Sequence, residues 1–324
     1  MIRACTIAIL VAAGAAHAQI GSVDLSTYTL TATINLPSSP LFEASAVTYN
    51  WDTNRLLIVP DSTVAIAEVS LSGVILSQMS MSGFEDPEGI TYLGGGVYVI
   101  AEERQQRVYR FTYVPGGTLV RSSLQNAPLG SPIGNEGIEG ISFEPLTGKY
   151  FAIKEKTPIR VMEVTINFPA SSATVNDLFD PALLGVLDIA DIAVLCTVPS
   201  LVGQPDQDNL LILSQASAML LEVTRAGVIK SQKSLVGLAT TAEGVTIDAQ
   251  GTIYICDETP RLYIFKPPAC YANCDGQGGL TANDFQCFLN AFVAGQSYAN
   301  CDGVGGLTAN DFQCFLDAFV AGCP

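Results

Sequence analysis

The chain has 324 residues, a formal net charge of −16 and an isoelectric point near 4.3. A surface this acidic repels nucleic acid and anionic lipid and attracts cations, which argues against nucleic-acid binding and against membrane insertion. Its single histidine is His17, and without it the chain has neither a Ser-His-Asp nor a Cys-His mechanism, nor imidazole ligands for zinc.

Residues 1–18 have the pattern of a cleaved signal peptide. Arg3 provides the positive start, an apolar stretch follows, and Ala16, His17 and Ala18 form a small-x-small cleavage site. An uncleaved anchor is the alternative. We therefore expect an exported protein, secreted or at the cell surface, that begins near Gln19, lacks histidine and carries a net charge of −17 once Arg3 is removed.

Residues 19–269 are rich in short β-branched and aromatic runs separated by turn residues, which indicates an all-β region. A degenerate sequence repeat runs through this region. Each of five units begins with a strand at 45–49, 88–92, 139–143, 190–194 or 243–247. A second strand follows at 55–61, 97–102, 149–155, 209–215 or 252–258, and a third strand follows that. Units of about four strands that repeat in this way predict a β-propeller.

The fifth unit has no outer strand of its own. The stretch Tyr28–Ile34 is otherwise unassigned and is predicted to complete it, which would close the ring. We predict five blades. Six blades are the alternative, because the loop Leu195–Asp208 is long enough to hold irregular strands.

Several ordered motifs in this region resemble the SdiA-regulated family of exported bacterial propellers. The resemblance spans residues 28–267 and implies a five-bladed propeller, distantly akin to NHL-type propellers, with a bound calcium ion. That family has no established reaction, so it implies no catalytic residues. This sequence departs from the family pattern at Ala44–Ala46, which lacks a glycine, and at Gln215, which replaces an acid. The motifs are EGITY at 88–92, AEER at 101–104, EGIEGI at 136–141, KEKTP at 154–158, LILSQAS at 211–217 and EGVTID at 243–248.

Acidic residues recur at two positions of the propeller repeat. Glu88, Glu139 and Glu243 lie on first strands, which line the channel of a propeller, so they should converge near its axis. Glu102 and Glu155 close second strands, as do Asp61 and Glu258, and would form another tier. Clustered carboxylates without nitrogen or sulfur partners favour calcium over zinc. Hydrogen bonding to the next blade, or a catalytic acid or base role, are the alternatives.

The C-terminal region, 270–324, contains a tandem repeat. Residues 273–295 return as 300–322 with two differences, at Gln277/Val304 and at Asn290/Asp317. Each copy joins an oxygen-rich, glycine-rich loop to an apolar helix, and its spacing fits calcium-loop positions 1, 3, 5, 7 and 12. Val304 cannot ligate, so the second loop should bind calcium more weakly; loss of metal from loops held by disulfides is the alternative. The candidate ligands are Asn273, Asp275, Gln277, Gly279 and Asp284, then Asn300, Asp302, Gly306 and Asp311.

This tandem resembles a dockerin of the cysteine-containing type found in planctomycete proteins, which implies a cohesin-like receptor as partner. The dense, even set of cysteines indicates disulfides in an exported module. Cys270 with Cys323 would join the two ends, and the remaining four would pair in equivalent ways. Cys196 and Cys256 are expected to be buried without a bridge, and most aromatic residues of the two helices are expected to form a shared core.

These features together predict a calcium-binding propeller that serves in recognition or scaffolding and is attached through its C-terminal module. The alternative is a histidine-free, calcium-dependent hydrolase of phosphate esters or lactones. The sequence leaves the propeller ligand and the question of catalysis open.

Overall fold

A computed structural model describes residues 20–62, 64–276 and 280–322, so the predicted signal peptide lies outside the described residues. The described residues form two compact units, one of residues 20–268 and one from residue 269 onward. None of the helices in these ranges has the length and apolar character needed to cross a membrane.

The larger unit consists of five sheets, and the predicted five-bladed propeller is confirmed. Blade 1 holds β2 (Ala44–Asn50), β3 (Arg55–Pro60), β4 (Ala65–Val69) and β5 (Ile75–Ser82). Blade 2 holds β6 (Pro87–Gly94), β7 (Val97–Glu102), β8 (Arg107–Thr112) and β10 (Gln125–Pro128). Strand β9 (Thr118–Val120) joins blade 1 instead, parallel to β5.

The remaining three blades follow the same plan. Blade 3 holds β11 (Ile138–Glu144), β12 (Lys149–Lys154), β13 (Arg160–Asn167) and β14 (Ser172–Phe179). Blade 4 holds β15 (Asp191–Val194), β16 (Leu210–Ser214), β17 (Met219–Val223) and β18 (Ile229–Ser234). Blade 5 holds β19 (Ala242–Ile247), β20 (Ile253–Asp257) and β21 (Arg261–Lys266).

The N-terminal strand closes the ring, as the sequence predicts. Strand β1 (Thr29–Asn35) pairs antiparallel with β21 and becomes the outer strand of blade 5. A short helical turn, α1 (Ser38–Leu41), then leads into blade 1. The loop between β15 and β16 carries only the 3₁₀ turn Pro199–Leu201 and no strand, which removes the six-bladed alternative. Other 3₁₀ turns are Arg121–Ser123, Pro181–Leu184 and Ser297–Ala299.

Five buried apolar clusters hold the blades together, and each joins two consecutive blades. For example, Leu57 and Val59 of blade 1 pack in one cluster with Tyr98 and Ile100 of blade 2. The cluster between blades 4 and 5 also takes in Ile20 and Leu25 from the N-terminal segment. Burial of this apolar area at every interface supplies the main stabilisation of the ring.

A ring of hydrogen bonds links the innermost strands at mid-channel. The Thr48 hydroxyl accepts a hydrogen bond from the backbone N–H of Tyr92 in the next blade, at 3.2 Å. Thr91, Ser142 and Thr246 do the same for Phe143, Val194 and Tyr49. Blade 4 has Ala193 at this position, and the Asp191 carboxylate instead accepts from the N–H of Val245, at 2.8 Å.

The smaller unit is built on two helices, α2 (Ala282–Val293) and α3 (Ala309–Ala321). Phe288 and Phe315 are fully buried and stack with ring centroids 4.0 Å apart. Phe285, Phe292, Phe312 and Phe319 pack around them, so the predicted shared aromatic core is confirmed.

The cysteines follow the predicted pattern where they are described. Cys274–Cys287 and Cys301–Cys314 are equivalent disulfides in the two repeats. Cys196 and Cys256 are buried and unbridged, as predicted. The predicted pairing of Cys270 with Cys323 involves a residue outside the described ranges.

Candidate metal sites

An acidic cavity of about 240 Å³ opens at the end of the channel where the innermost strands begin. We call it the mouth. Nine carboxyl side chains line it, against two cationic ones, Arg104 and Lys156. Both cations are already engaged: Arg104 Nε lies 2.6 Å from Asp86 Oδ2, and Lys156 pairs with Glu155. The carboxyl groups are those of Glu43, Asp61, Asp86, Glu88, Glu103, Glu139, Glu155, Glu243 and Glu258.

The three glutamates predicted to converge near the axis do line this one cavity. Glu88, Glu139 and Glu243 stand at equivalent positions of β6, β11 and β19. The hydrogen-bond tie to the next blade, considered above for these glutamates, is made by the hydroxyl ring and Asp191. Within the described residues no backbone N–H donates to any of the three carboxyl groups, and their contacts are with side chains instead, as between Gln215 and Glu243.

The four acids predicted to close the second strands do not all lie at the mouth. Asp61, Glu155 and Glu258 line the mouth, but Glu102 does not. The side chain of Glu102 is fully buried elsewhere, 2.7 Å from Arg121 Nη1 and 2.7 Å from the backbone N of Glu85. Its neighbour Glu103 reaches the mouth instead, because successive side chains at the end of a strand point to opposite faces.

The closest group of oxygens joins Asp61, Asp86 and Glu88, with one carboxylate oxygen from each within 4.8 Å of the others. Calcium binds oxygen at 2.3–2.6 Å, so oxygens on one ion lie at most about 5 Å apart, and all three can reach a single ion. Asp86 precedes β6 in the run Asp86-Pro-Glu-Gly and was not among the predicted ligands.

Burial and mutual repulsion raise the pKa values of the mouth carboxyl groups. Burial, followed by the charges of Asp86 and Asp61, raises the pKa of Glu88 well above its usual range. Burial and the charge of Glu88 raise the pKa of Glu139 to about 12. Burial and the charge of Glu258 raise the pKa of Glu243 to about 9. Without a cation, burial and mutual repulsion therefore favour the protonated forms of these groups.

Hydrogen bonds between side chains organise the mouth further. Glu139 and Glu103 share a hydrogen bond, with the protonated Glu139 as donor. Gln215 Nε2 donates to Glu243 Oε1, so the residue that departs from the family pattern supports an axial glutamate. In the amide orientation that satisfies both of its groups, the nitrogen of Asn135 donates to Asp86 and Glu103, at 3.0 and 3.1 Å.

The loops of the smaller unit present a second set of candidates. Asp284 and Asp311 are fully buried and complete capping boxes with Thr281 and Thr308. Burial opposes ionisation of Asp284, but hydrogen bonds from the backbone N–H groups of Thr281 and Asp275 give it a net lowered pKa. The backbone N–H of Thr308 does the same for Asp311. Both acids are therefore ionised, and the sequence did not predict their capping role.

The second loop is described throughout and fits a calcium ion in part. Asn300 Oδ1, at the first loop position, is buried without a hydrogen-bond partner, which is the state of an oxygen that a metal would contact. Asp302 accepts from the backbone N–H of Val304, whose side chain is 70% exposed. Gly305 has φ +70°, as the sharp turn requires. Gly306 follows it, whereas Gln277 and Gly279 of the first loop lie outside the described residues.

Comparison with known proteins identifies relatives of the larger unit. The sequence profile of the SdiA-regulated family matches residues 25–266. The propeller domain of Cps50 (Swd1) from Myceliophteria thermophila is 12% identical at a TM-score of 0.39, over 70% of this chain and 65% of that one. An inactive virginiamycin B lyase from Staphylococcus aureus, solved with quinupristin, is 12% identical at a TM-score of 0.41, over 71% of this chain and 68% of that one. A streptogramin B lyase is 15% identical at a TM-score of 0.39, over 76% of each chain.

Proposed function

The chain belongs to the SdiA-regulated family, and we propose that its propeller binds one calcium ion in the mouth and acts in recognition or scaffolding outside the cell. The observation that carries this proposal is the group of three carboxylate oxygens from Asp61, Asp86 and Glu88 within 4.8 Å of one another. They stand among nine carboxyl groups that have only two cations, both already paired.

The donor set suits calcium. It consists of carboxylate oxygens, without histidine or thiolate, and hard oxygen ligands favour calcium or magnesium over transition metals. Asp61, Asp86 and Glu88 would hold the ion, and Glu139 lines the same space. A bound ion would neutralise part of the repulsion and offer a Lewis-acidic contact to an oxygen-bearing ligand.

Recognition is favoured over hydrolysis by the groups around the mouth. Arg104 and Lys156 are paired with carboxylates, so they are not free to bind a phosphate ester or to stabilise a developing anion. The chain's single histidine, His17, falls within the predicted signal peptide. The carboxyl groups that remain can bind a cation and position a ligand.

Removal of one mouth carboxylate should remove one bound calcium ion. In the full-length protein, Glu88→Gln and Asp61→Asn are each expected to lower the calcium count by one, measured by equilibrium dialysis with elemental analysis. Asp177→Asn is the matched control, because Asp177 is a largely exposed acid paired with Arg160 outside the mouth. An unchanged count in both mouth variants would overturn the proposal.

We further propose that the smaller unit is a dockerin-like attachment module with two calcium loops and a cohesin-like receptor as its partner. The orphaned Asn300 Oδ1 and the ionised Asp311 support a cation in the second loop. The two disulfides fit an exported protein, since such bonds persist in oxidising compartments.

A gain-of-function change tests the module. Val304→Gln copies the residue that the first repeat has at this position, and it should tighten calcium binding in the second loop about fivefold by adding an oxygen ligand. Calorimetry in a Glu88→Gln background would isolate the module. Val293→Gln is the control, because Val293 is 86% exposed on a helix outside the loops. Equal isotherms for the two variants would count against a calcium loop.

A further inference from the structure

A second cavity adjoins the mouth at the seam where the ring closes. It has a volume of about 540 Å³ and lies among the end of β1, the turn α1 and the hairpin between β20 and β21. We call it the seam groove. Its volume falls in the range of small-molecule sites, which extends from about 300 to 1,000 Å³.

Two carboxylates separate the seam groove from the mouth. Glu43 and Glu258 are the two residues that line both spaces. The backbone holds Glu43 in place from both sides of the seam: its N–H donates to the carbonyl of Glu258, and its carbonyl accepts from the N–H of Asp61, at 2.9 Å. These bonds fix the backbone of Glu43 at the seam, and Glu43 and Glu258 together place two carboxyl groups on the wall shared with the mouth.

Apolar side chains also line the groove, together with the polar Asn35, Ser38 and Thr259. Phe42 exposes 53% of its surface there, next to Leu36 and Pro260. The backbone N–H of Leu36 donates to the carbonyl of Pro260 at 2.7 Å, which ties β1 to the facing hairpin. A half-exposed phenylalanine offers a ring face to an apolar group.

The groove has one cationic side chain. Arg261 also lines the groove, and its guanidinium lies 3.3 Å from the Tyr263 hydroxyl on the same strand. The Tyr263 hydroxyl is neutral, so the guanidinium keeps its charge, but Arg261 does not line the mouth, and the wall that the groove shares with the mouth is formed by Glu43 and Glu258.

We propose that the seam groove binds a small amphipathic amine, with its ammonium group between Glu43 and Glu258 and its apolar portion against Phe42. Carboxylates and an exposed aromatic ring in one groove match the two ends of such a molecule. Neither glutamate belongs to the group of Asp61, Asp86 and Glu88, so the amine would use different ligands from the calcium ion, although both glutamates also line the mouth.

Phenethylamine and phenethyl alcohol test the charge requirement, since they differ in the ammonium group. In ligand-observed NMR titrations of the full-length protein with saturating calcium, the amine should bind about fivefold more tightly than the alcohol. Glu258→Gln should weaken amine binding about fivefold and leave the alcohol unchanged, whereas Phe42→Ala should weaken both.

Matched variants separate local contacts from general effects. Asp177→Asn changes the net charge as Glu258→Gln does, and Leu187→Ala removes an apolar side chain that is more exposed than Phe42; neither should alter amine binding. Equal binding of amine and alcohol, or no effect of Glu258→Gln, would overturn the proposal. If Glu88→Gln abolished amine binding while Glu258→Gln left it unchanged, the amine would bind in the mouth, and the proposal would likewise be overturned. Calcium counts on the same variants report separately on the proposed calcium site.

Discussion

Transfer of the calcium-free protein from pH 5 to pH 8 is expected to lower the melting temperature of the propeller by about 5–10 °C. The folded-state pKa values of Glu139 and Glu243 are raised, to about 12 and about 9, and that of Glu88 is raised well above its usual range. A carboxyl group with a raised folded pKa contributes stability that is complete below its unfolded pKa, near 4.5. That stability is lost progressively as the pH rises toward the folded value.

The window for the best-defined group, Glu243, therefore runs from about pH 4.5 to about pH 9. Each such group changes the free energy of unfolding by at most about 1.4 kcal/mol per pH unit within its window. Fluorescence of Trp51 reports on the propeller alone, because it is the only tryptophan and it packs against Tyr92 with ring centroids 4.5 Å apart.

Calcium and a single substitution provide the controls for this pH effect. Saturating calcium should abolish most of the fall, because the ion replaces the protons that the mouth otherwise holds. Glu243→Gln should flatten the calcium-free profile, and Asp177→Asn should leave it unchanged. A melting temperature that rises from pH 5 to pH 8 without calcium would contradict the raised pKa values.

The blade count could be predicted because each blade repeats one short motif on its innermost strand. The pairing of β1 with β21 followed from a strand without a partner and a fifth unit without an outer strand. These features are local in sequence or are imposed by ring closure. The parallel addition of β9 to blade 1 had no such signal, because it depends on how a loop of blade 2 returns to its neighbour.

The mouth could be predicted only in part. Six of its nine acids were predicted, whereas Glu43, Asp86 and Glu103 were missed; the six are Asp61, Glu88, Glu139, Glu155, Glu243 and Glu258. The prediction placed Glu102 at the mouth, one residue before the acid that lies there. Because side chains alternate between the two faces of a strand, this shift of one residue changes the face: Glu102 pairs with Arg121, and Glu103 lines the mouth. Which of two adjacent acids faces the channel depends on the residue at which the strand ends. The composition of the strand does not reveal that residue.

The division of roles along the channel follows from how closely the strands approach. At mid-channel, neutral hydroxyl groups and one buried carboxylate satisfy the N–H groups of neighbouring blades. At the mouth the acids gather around open space and repel one another. Hydroxyl groups and Asp191 therefore hold the ring, and the acids of the mouth are left for a cation.

Substitution of Gly244 by alanine should destabilise the propeller by about 3 kcal/mol, the upper range for overpacking a close-packed core. A methyl group there would lie 2.8 Å from the backbone N of Val47, 2.9 Å from Ala46 Cα and 2.7 Å from Cys256 Sγ. Two of these atoms belong to the backbone of the neighbouring innermost strand, which other blades hold in place. Chemical denaturation followed by Trp51 fluorescence would measure the loss.

A graded series makes this prediction specific to the close approach of strands. Gly89→Ala, where the nearest atom lies at 3.1 Å, should cost about 1 kcal/mol. Gly306→Ala, with no atom within 4 Å and in the other unit, should leave the propeller transition unchanged. Two blades carry a side chain at the equivalent position, Ala46 in blade 1 and Asp191 in blade 4, and the Asp191 carboxylate occupies the space beside Gly140. Equal costs for Gly244→Ala and Gly306→Ala would show that the strands can separate, and would contradict this account of the ring.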